Sequence, residues 1–287
     1  MEIDKICVLG GGTMGGGITQ LLAQNGFKVS MRDIEDKFVE RGLNGISGNL
    51  KKFFVDKGKM TQSEADTILA RINGTTSLKE AVAGAQVVIE SVPEQLPLKQ
   101  QMFRELDELC PPETILATNT SSLSVNLIAS VTNRQEKVIG MHFFNPATVM
   151  RLVEIIRGAR TSDDTYETIK ALTAKLGKEA ITVQKDTAGF IVNRIFLAVV
   201  NEAAKLVYEG IATPEDVDKG CQLGLGHTMG PLRTIDLTGI DIGLDVLEIL
   251  REGFGDAFLP CPLMKIKVAA GELGTKTGKG FYDYSQQ

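Results

Sequence analysis

Apolar and polar positions along the chain follow two rhythms. Short apolar runs, KICVLG, KVSMRD, AQVVIES, ETILATNT and KVIGMHFF, read as strands, and the segments between them carry helical spacing. This alternation predicts a parallel sheet covered by helices. One of these helices opens with Ser77 followed by Glu80, the residues of a capping box. The stretch DKFVERGLNGISGNLKKFFVDKGKM is longer than a simple crossover needs, and it places Val39, Leu43, Ile46, Leu50 and Phe53 on one helical stripe. A second helix, near QSEADTILARING, is expected to fold back on it as a projecting pair. Strand runs end after ITVQKDTAGF. From there IVNRIFLAVVNEAAKLVYEG begins a wholly helical remainder, with Gly210 as its stop and the next helix starting at Thr213-Pro214, three residues before Asp216. The expected organisation is an N-terminal domain over 1–188 and an α-helical domain over 189–287.

Composition narrows the classes. The 287 residues are 43% hydrophobic and 23% charged, as in ordinary globular proteins, and no apolar run is long enough to span a bilayer. The start, MEIDKICVLG, enters a strand without a secretory pattern, and no membrane association is expected. Cys7, Cys110, Cys221 and Cys261 are far apart, which suggests neither a zinc site nor a disulfide framework and fits a reducing cytosol. A net charge of −5 argues against nucleic acid as a partner and requires any anionic ligand to find a local basic patch.

VLGGGTMGGGI holds GxGxxG as Gly10, Gly12 and Gly15, with Thr13 and Met14 inside it. In a chain with 30 glycines the pattern alone is weak, but here it joins a strand to a helix. In that setting the first Gly permits the turn, the second admits a pyrophosphate and the third allows close helix packing. Asp33, ending the second strand, is placed to accept from the 2′-hydroxyl of an adenosine ribose, which favours NAD. Its neighbour Arg32 could instead meet a 2′-phosphate, so NADP stays open, as does a purely structural glycine turn.

His142, one of two histidines, stands on the apolar strand KVIGMHFF. An ionisable ring there is either a core residue satisfied by a backbone carbonyl or a catalyst. A turn around Asn145 and Pro146 that reverses the chain into RLVEII would set His142 opposite Glu154. A carboxylate beside imidazole favours the charged ring and fixes its tautomer, and the other nitrogen can then exchange a proton with substrate. Such a pair suits a dehydrogenase, in which the cofactor moves the hydride and the protein handles the proton.

GGGTMGGGI, NTSSLS, KVIGMHFFNPATVMRLVEII, GFIVNRI, HTMGPLRTIDLTGID and GTKTGKGFYDY occur in this order, and with them essentially the whole chain resembles the 3-hydroxyacyl-CoA dehydrogenase family, above all its short-chain bacterial members. The resemblance implies an α/β protein with a Rossmann-type, doubly wound sheet and a second, all-α C-terminal domain through which a homodimer forms. It implies His142 as general acid/base and Glu154 as its orienting carboxylate. It further implies Ser121 and Asn193 as hydrogen-bonding partners of the substrate. Each of these two has a plain alternative, Ser121 as a helix cap and Asn193 as a polar group at a helix contact. Glu94, Lys99, Asn119 and Asn145 are implied near the cofactor, as is Lys276 from the C-terminal motif, although the prolines around Glu94 set its segment apart. An acyl-CoA needs cations, and Lys51, Lys52, Lys57 and Lys59 at the end of the long helix are the candidates, with Lys52 and Lys57 foremost; a solvated charged face is the plain reading. His227 has no facing carboxylate in sequence and reads as a loop or cleft residue.

The reaction so implied is hydride exchange between a nicotinamide cofactor and C3 of a short (S)-3-hydroxyacyl-CoA or 3-oxoacyl-CoA, with a single activity expected at this length. Two other readings stand beside it. One is a two-domain dehydrogenase of a small free hydroxy acid, and the other is a non-catalytic dinucleotide-binding protein.

Overall fold

The computed structural model describes residues 2–285. The chain divides into two compact units, Met1–Asp186 and Thr187–Gln287. In the first, β1 (Lys5–Leu9), α1 (Thr13–Gln24) and β2 (Lys28–Arg32) lead to α2 (Asp36–Leu50), α3 (Gln62–Leu69) and β3 (Ile72–Thr75). Then come α4 (Leu78–Val82), β4 (Val87–Glu90), α5 (Leu96–Leu109), β5 (Ile115–Thr118) and α6 (Val125–Ala129). The unit closes with β6 (Val138–Phe143), β7 (Leu152–Ile156), α7 (Asp163–Lys175) and β8 (Glu179–Val183).

These strands form one eight-stranded sheet in the order β3-β2-β1-β4-β5-β6-β7-β8. The order reverses between β1 and β4, so this is a doubly wound sheet with its switch point at the carboxyl end of β1. Pairing is parallel except between β6 and β7, which run antiparallel. The central strands are buried along their length, which is why they read as continuous apolar runs. β3, INGT, carries one strongly apolar residue and lies at the sheet edge, so the hydrophobic pattern does not announce it.

Local chemistry differs from expectation at two helix starts. Ser77 does cap α4 by accepting from Glu80 N, but the Glu80 carboxylate accepts from Thr75 Oγ1 at 2.8 Å, so only half of the box forms. A complete box instead opens α3, where Thr61 and Glu64 cap each other. The long-helix stripe is buried at Val39, Ile46 and Leu50 and part-buried at Leu43, but Phe53 is 47% exposed. Residues Lys51–Val55 make a π-helical turn, and its extra residue hands the inward position to Phe54 and Val55.

The second unit holds α8 (Val192–Tyr208), α9 (Pro214–Leu225), α10 (Pro231–Thr238), α11 (Ile240–Phe254) and α12 (Pro262–Ala269) around its own core of Leu197, Val200, Leu232, Ile235, Leu247, Leu250 and Met264. Gly210 follows α8 at φ +70°, and Thr213 caps α9 by accepting from Asp216 N. The last stretch is not helical as expected. Gly274 and Gly278 take φ of +101° and +77°, and isolated bridges join Lys279 to Gly274 and Asp283. Asp236, wholly buried on α10, holds this segment by accepting from Phe281 N and Tyr282 N at 3.0 Å each and from Tyr284 Oη at 3.1 Å. Among the described residues no helix is long and apolar enough to cross a membrane.

Candidate active site

The glycine motif occupies the β1–α1 turn at the switch point. A Cβ at Gly10 would strike the Ser91 carbonyl, and one at Gly15 would strike the Gly10 carbonyl, so both glycines are required by packing within the protein. Gly12 is different. Nothing lies within 4 Å of its Cβ direction, it caps α1 without a side chain, and the first turn of α1 carries no acid. An open, uncapped and acid-free helix start fits a pyrophosphate. Thr13 is exposed and Met14 part-buried beside it. Asp33 is fixed nearby, accepting from Gly11 N through Oδ2 and from Ile34 N through Oδ1, each at 2.7 Å. Arg32 donates from Nε to the Thr76 carbonyl at 3.2 Å.

On the other side of the switch point, the β6–β7 pairing puts His142 in register with Glu154. Their side chains meet at 2.7 Å between Nδ1 and Oε2, with His142 5% exposed and Glu154 wholly buried. The partner of Nδ1 is thus a carboxylate, and Nε2 is the ring's other nitrogen. Phe144 packs on the ring at 4.5 Å between centroids. The turn that reverses the chain contains a cis Asn145–Pro146 bond and leaves Asn145 exposed.

The loop after β5 carries Asn119 and Ser121. Asn119 accepts from Phe143 N at 2.8 Å, which ties the loop to the strand of His142. Ser121 does not cap α6; that role belongs to Ser124, which accepts from Leu127 N. Ser121 instead donates from its amide and hydroxyl to Glu94 Oε1, at 2.8 and 3.2 Å. The same oxygen receives Thr120 Oγ1 at 2.6 Å and Ser122 N at 3.1 Å. Burial works to raise the Glu94 carboxyl, but the neighbouring Lys99 ammonium and these donors outweigh it and hold the group below its ordinary value.

Lys99 is 1% exposed, with Nζ 2.7 Å from Glu90 Oε1, 3.3 Å from Glu94 Oε2 and 3.1 Å from the Val92 carbonyl. Its ammonium lies beneath Glu94 and positions it. Glu90 escapes the sequence reading altogether. It is wholly buried at the end of β4, with Oε1 bound to Lys99 and Oε2 accepting from Thr118 Oγ1 at 2.7 Å. The available signal is a charge at the end of an apolar run, as an ionisable ring within such a run marks His142. A buried pair of this kind is costly to break by removing one partner.

In the second unit, Asn193 lies in the first turn of α8, just after Phe190, whose φ of +50° is unusual for a side-chain-bearing residue. Lys276 Nζ sits 2.6 Å from the Asp241 carboxylate. His227 lines an apolar hollow of about 460 Å³ with Ile191, Ile195, Val199 and Met229. The lysines Lys51, Lys52, Lys57 and Lys59 are all exposed in the first unit.

A dinucleotide-ready turn and a His–Glu pair flanking the switch point of one doubly wound sheet define a nicotinamide-dependent dehydrogenase. Profiles of the two domains of one family match the chain: "3-hydroxyacyl-CoA dehydrogenase, NAD binding domain" over residues 5–187 and "3-hydroxyacyl-CoA dehydrogenase, C-terminal domain" over 189–284. The chain belongs to the 3-hydroxyacyl-CoA dehydrogenase family. A probable 3-hydroxybutyryl-CoA dehydrogenase of Bacillus subtilis (strain 168) is 47% identical over 100% of this chain and 99% of its own. The 3-hydroxybutyryl-CoA dehydrogenase of Clostridioides difficile is 41% identical over 98% of this chain and 100% of its own. The crystal structure of (S)-3-hydroxybutyryl-CoA dehydrogenase from Ralstonia eutropha superposes with a TM-score of 0.94 at 43% identity, covering 99% of this chain and 100% of that one.

Proposed function

We propose that the protein interconverts acetoacetyl-CoA and (S)-3-hydroxybutyryl-CoA, with NAD rather than NADP as cofactor and His142 as general acid/base. The observation that carries this reading is the 2.7 Å contact of His142 Nδ1 with buried Glu154. The bound nicotinamide supplies or accepts the hydride at C3. In the reducing direction, protonated His142 gives its Nε2 proton to the oxygen at C3; in the oxidising direction, the neutral ring removes the hydroxyl proton. Glu154 holds Nδ1 and so fixes the tautomer and orientation of the ring. Ser121 and Asn193 hydrogen-bond the substrate, which lowers the orientational cost of reaction. Glu94, Asn119, Asn145 and Lys276 serve the cofactor, and Lys99 acts through Glu94.

The preference for NAD is supported by Asp33, whose carboxylate is pinned by two amides and would repel a 2′-phosphate. Arg32, bonded to the Thr76 carbonyl, is the weaker claimant. Exposed Lys52 and Lys57 receive the phosphates of CoA. A homodimer through the second unit is supported by Ile211, Leu223, Leu225, Leu237 and Ile266 there, each more than half exposed. Absorbance assays with NADH and NADPH side by side, on acetoacetyl-CoA and on free acetoacetate, test the reading. Turnover of the thioester with NADH, exceeding the three other combinations, is the expected result. Preference for free acetoacetate, or NADH binding without turnover of any acyl-CoA, would overturn it.

A further inference from the structure

The π-helical turn at the end of α2 has a consequence for ligand binding. Continued as an α-helix, the stripe of Val39, Ile46 and Leu50 would carry Phe53 inward, three residues beyond Leu50. The wider turn is closed by Asp56 N donating to the Lys51 carbonyl at 2.9 Å, and it turns Phe53 out while Phe54 and Val55 pack on the core. Single exposed apolar side chains are common. The setting of this one is not. Residues 51–59 hold Lys51, Lys52, Lys57 and Lys59 against one acid, Asp56, and the Lys52 ammonium lies 5.2 Å from the Phe53 ring centroid. Among the described residues none of these four lysines is ion-paired with a carboxylate. Cations around an exposed aromatic face suit a ligand that combines phosphates with a flat π-system, which is a nucleotide. In the proposed reading the adenosine of the dinucleotide falls to Asp33, which precedes the start of α2, whereas Phe53 follows its end.

We propose that Phe53 is the stacking platform for the adenine of the acyl-CoA substrate, with the surrounding lysines taking its phosphates. This rests on the acyl-CoA reading and on the lysine patch. Lys52 covers one face of the ring and the base takes the other. Stacking needs the π-face, so Tyr replaces Phe and Leu does not, although Leu is equally apolar.

The test is initial-rate kinetics with acetoacetyl-CoA and with acetoacetyl-pantetheine, which lacks the nucleotide, at saturating NADH. F53A and F53L should each raise the KM for acetoacetyl-CoA by about 5- to 20-fold, the order expected for one stacked base. Both should thereby narrow the gap between the two thioesters, while F53Y keeps the wild-type gap. An unchanged KM for acetoacetyl-CoA, an equal rise for both thioesters, or full function in F53L would overturn the proposal. K52E/K57E separates the two layers of the reading. If that variant raises the KM for acetoacetyl-CoA in a salt-dependent way and the Phe53 variants do nothing, the ring assignment alone falls; if neither matters, the patch itself is wrong and the ring with it.

Discussion

Asp33 offers one oxygen to Gly11 N and the other to Ile34 N, so its carboxylate cannot swing away to admit a second negative group. Asp33→Ser should raise the KM for NADH by about tenfold or more, the cost of a lost charged hydrogen bond, and affect NADPH far less. A side-by-side comparison of the two cofactors reads this directly, and a wild-type preference for NADPH would move the role to Arg32. At this scale the glycines, Asp33 and the His142–Glu154 pair were legible in the sequence because each is an exception to its surroundings: glycines at a strand end, charges in or after apolar runs. Glu90 obeys the same rule, but the rule alone does not single it out. Nothing in the pattern VVIE says that its partner will be Lys99, nine residues on, and the need for a buried counter-charge shows only once β4 and α5 are packed. Nor does sequence separate Ser121 from Ser124 as the helix cap; the turn geometry does.

The β1–α1 element makes a sharper demand, because its glycines do different work. Gly15→Ala would drive a methyl into the Gly10 carbonyl and should destabilise the protein by about 3 kcal/mol, the upper range of overpacking. Gly12→Ala meets open space and exchanges only a Gly for an Ala N-cap, so its stability should fall by no more than about 1 kcal/mol. Its NADH affinity should still fall at least about tenfold, since the methyl takes room a pyrophosphate needs. Thermal melts and NADH fluorescence titrations of both variants decide the matter, and wild-type NADH binding by Gly12→Ala would contradict the assignment. Elements with a strong period were readable in advance, α2 and the buried strands above all. Those set by one turn of backbone were not: β3 is four residues of weak pattern, and the π turn changes which face Phe53 takes without any change in composition.

At the scale of the molecule, each unit has its own core, and the second is closed by a carboxylate rather than by apolar packing alone. Asp236→Ala would strand two buried amides and the Tyr284 hydroxyl and should cost about 2–4 kcal/mol. Burial raises the Asp236 carboxyl above its ordinary 3.8, only partly offset by its three donors. Its contribution to stability is therefore fullest below 3.8 and declines as pH rises through the higher folded value. Asp236→Asn cannot titrate, so wild type should hold a larger melting-temperature advantage over it near about pH 4 than near about pH 7; a constant difference would contradict that sign. The alternation of strands and helices made the sheet and the helical second unit visible in the sequence, whereas the last turn of chain, governed by glycines at positive φ and by Asp236, needed the structure. The proposed mechanism rests on His142 and Glu154 acting as one unit, and a double-mutant cycle on acetoacetyl-CoA reduction tests this most directly. His142→Gln should lower kcat by about 10²- to 10⁴-fold while NADH binding survives. Glu154→Gln should lower kcat substantially, because the ring then loses the carboxylate that holds its Nδ1. The double variant should be scarcely worse than His142→Gln, since residues that act together are not additive; full activity in His142→Gln, or losses that multiply in the double variant, would contradict the account.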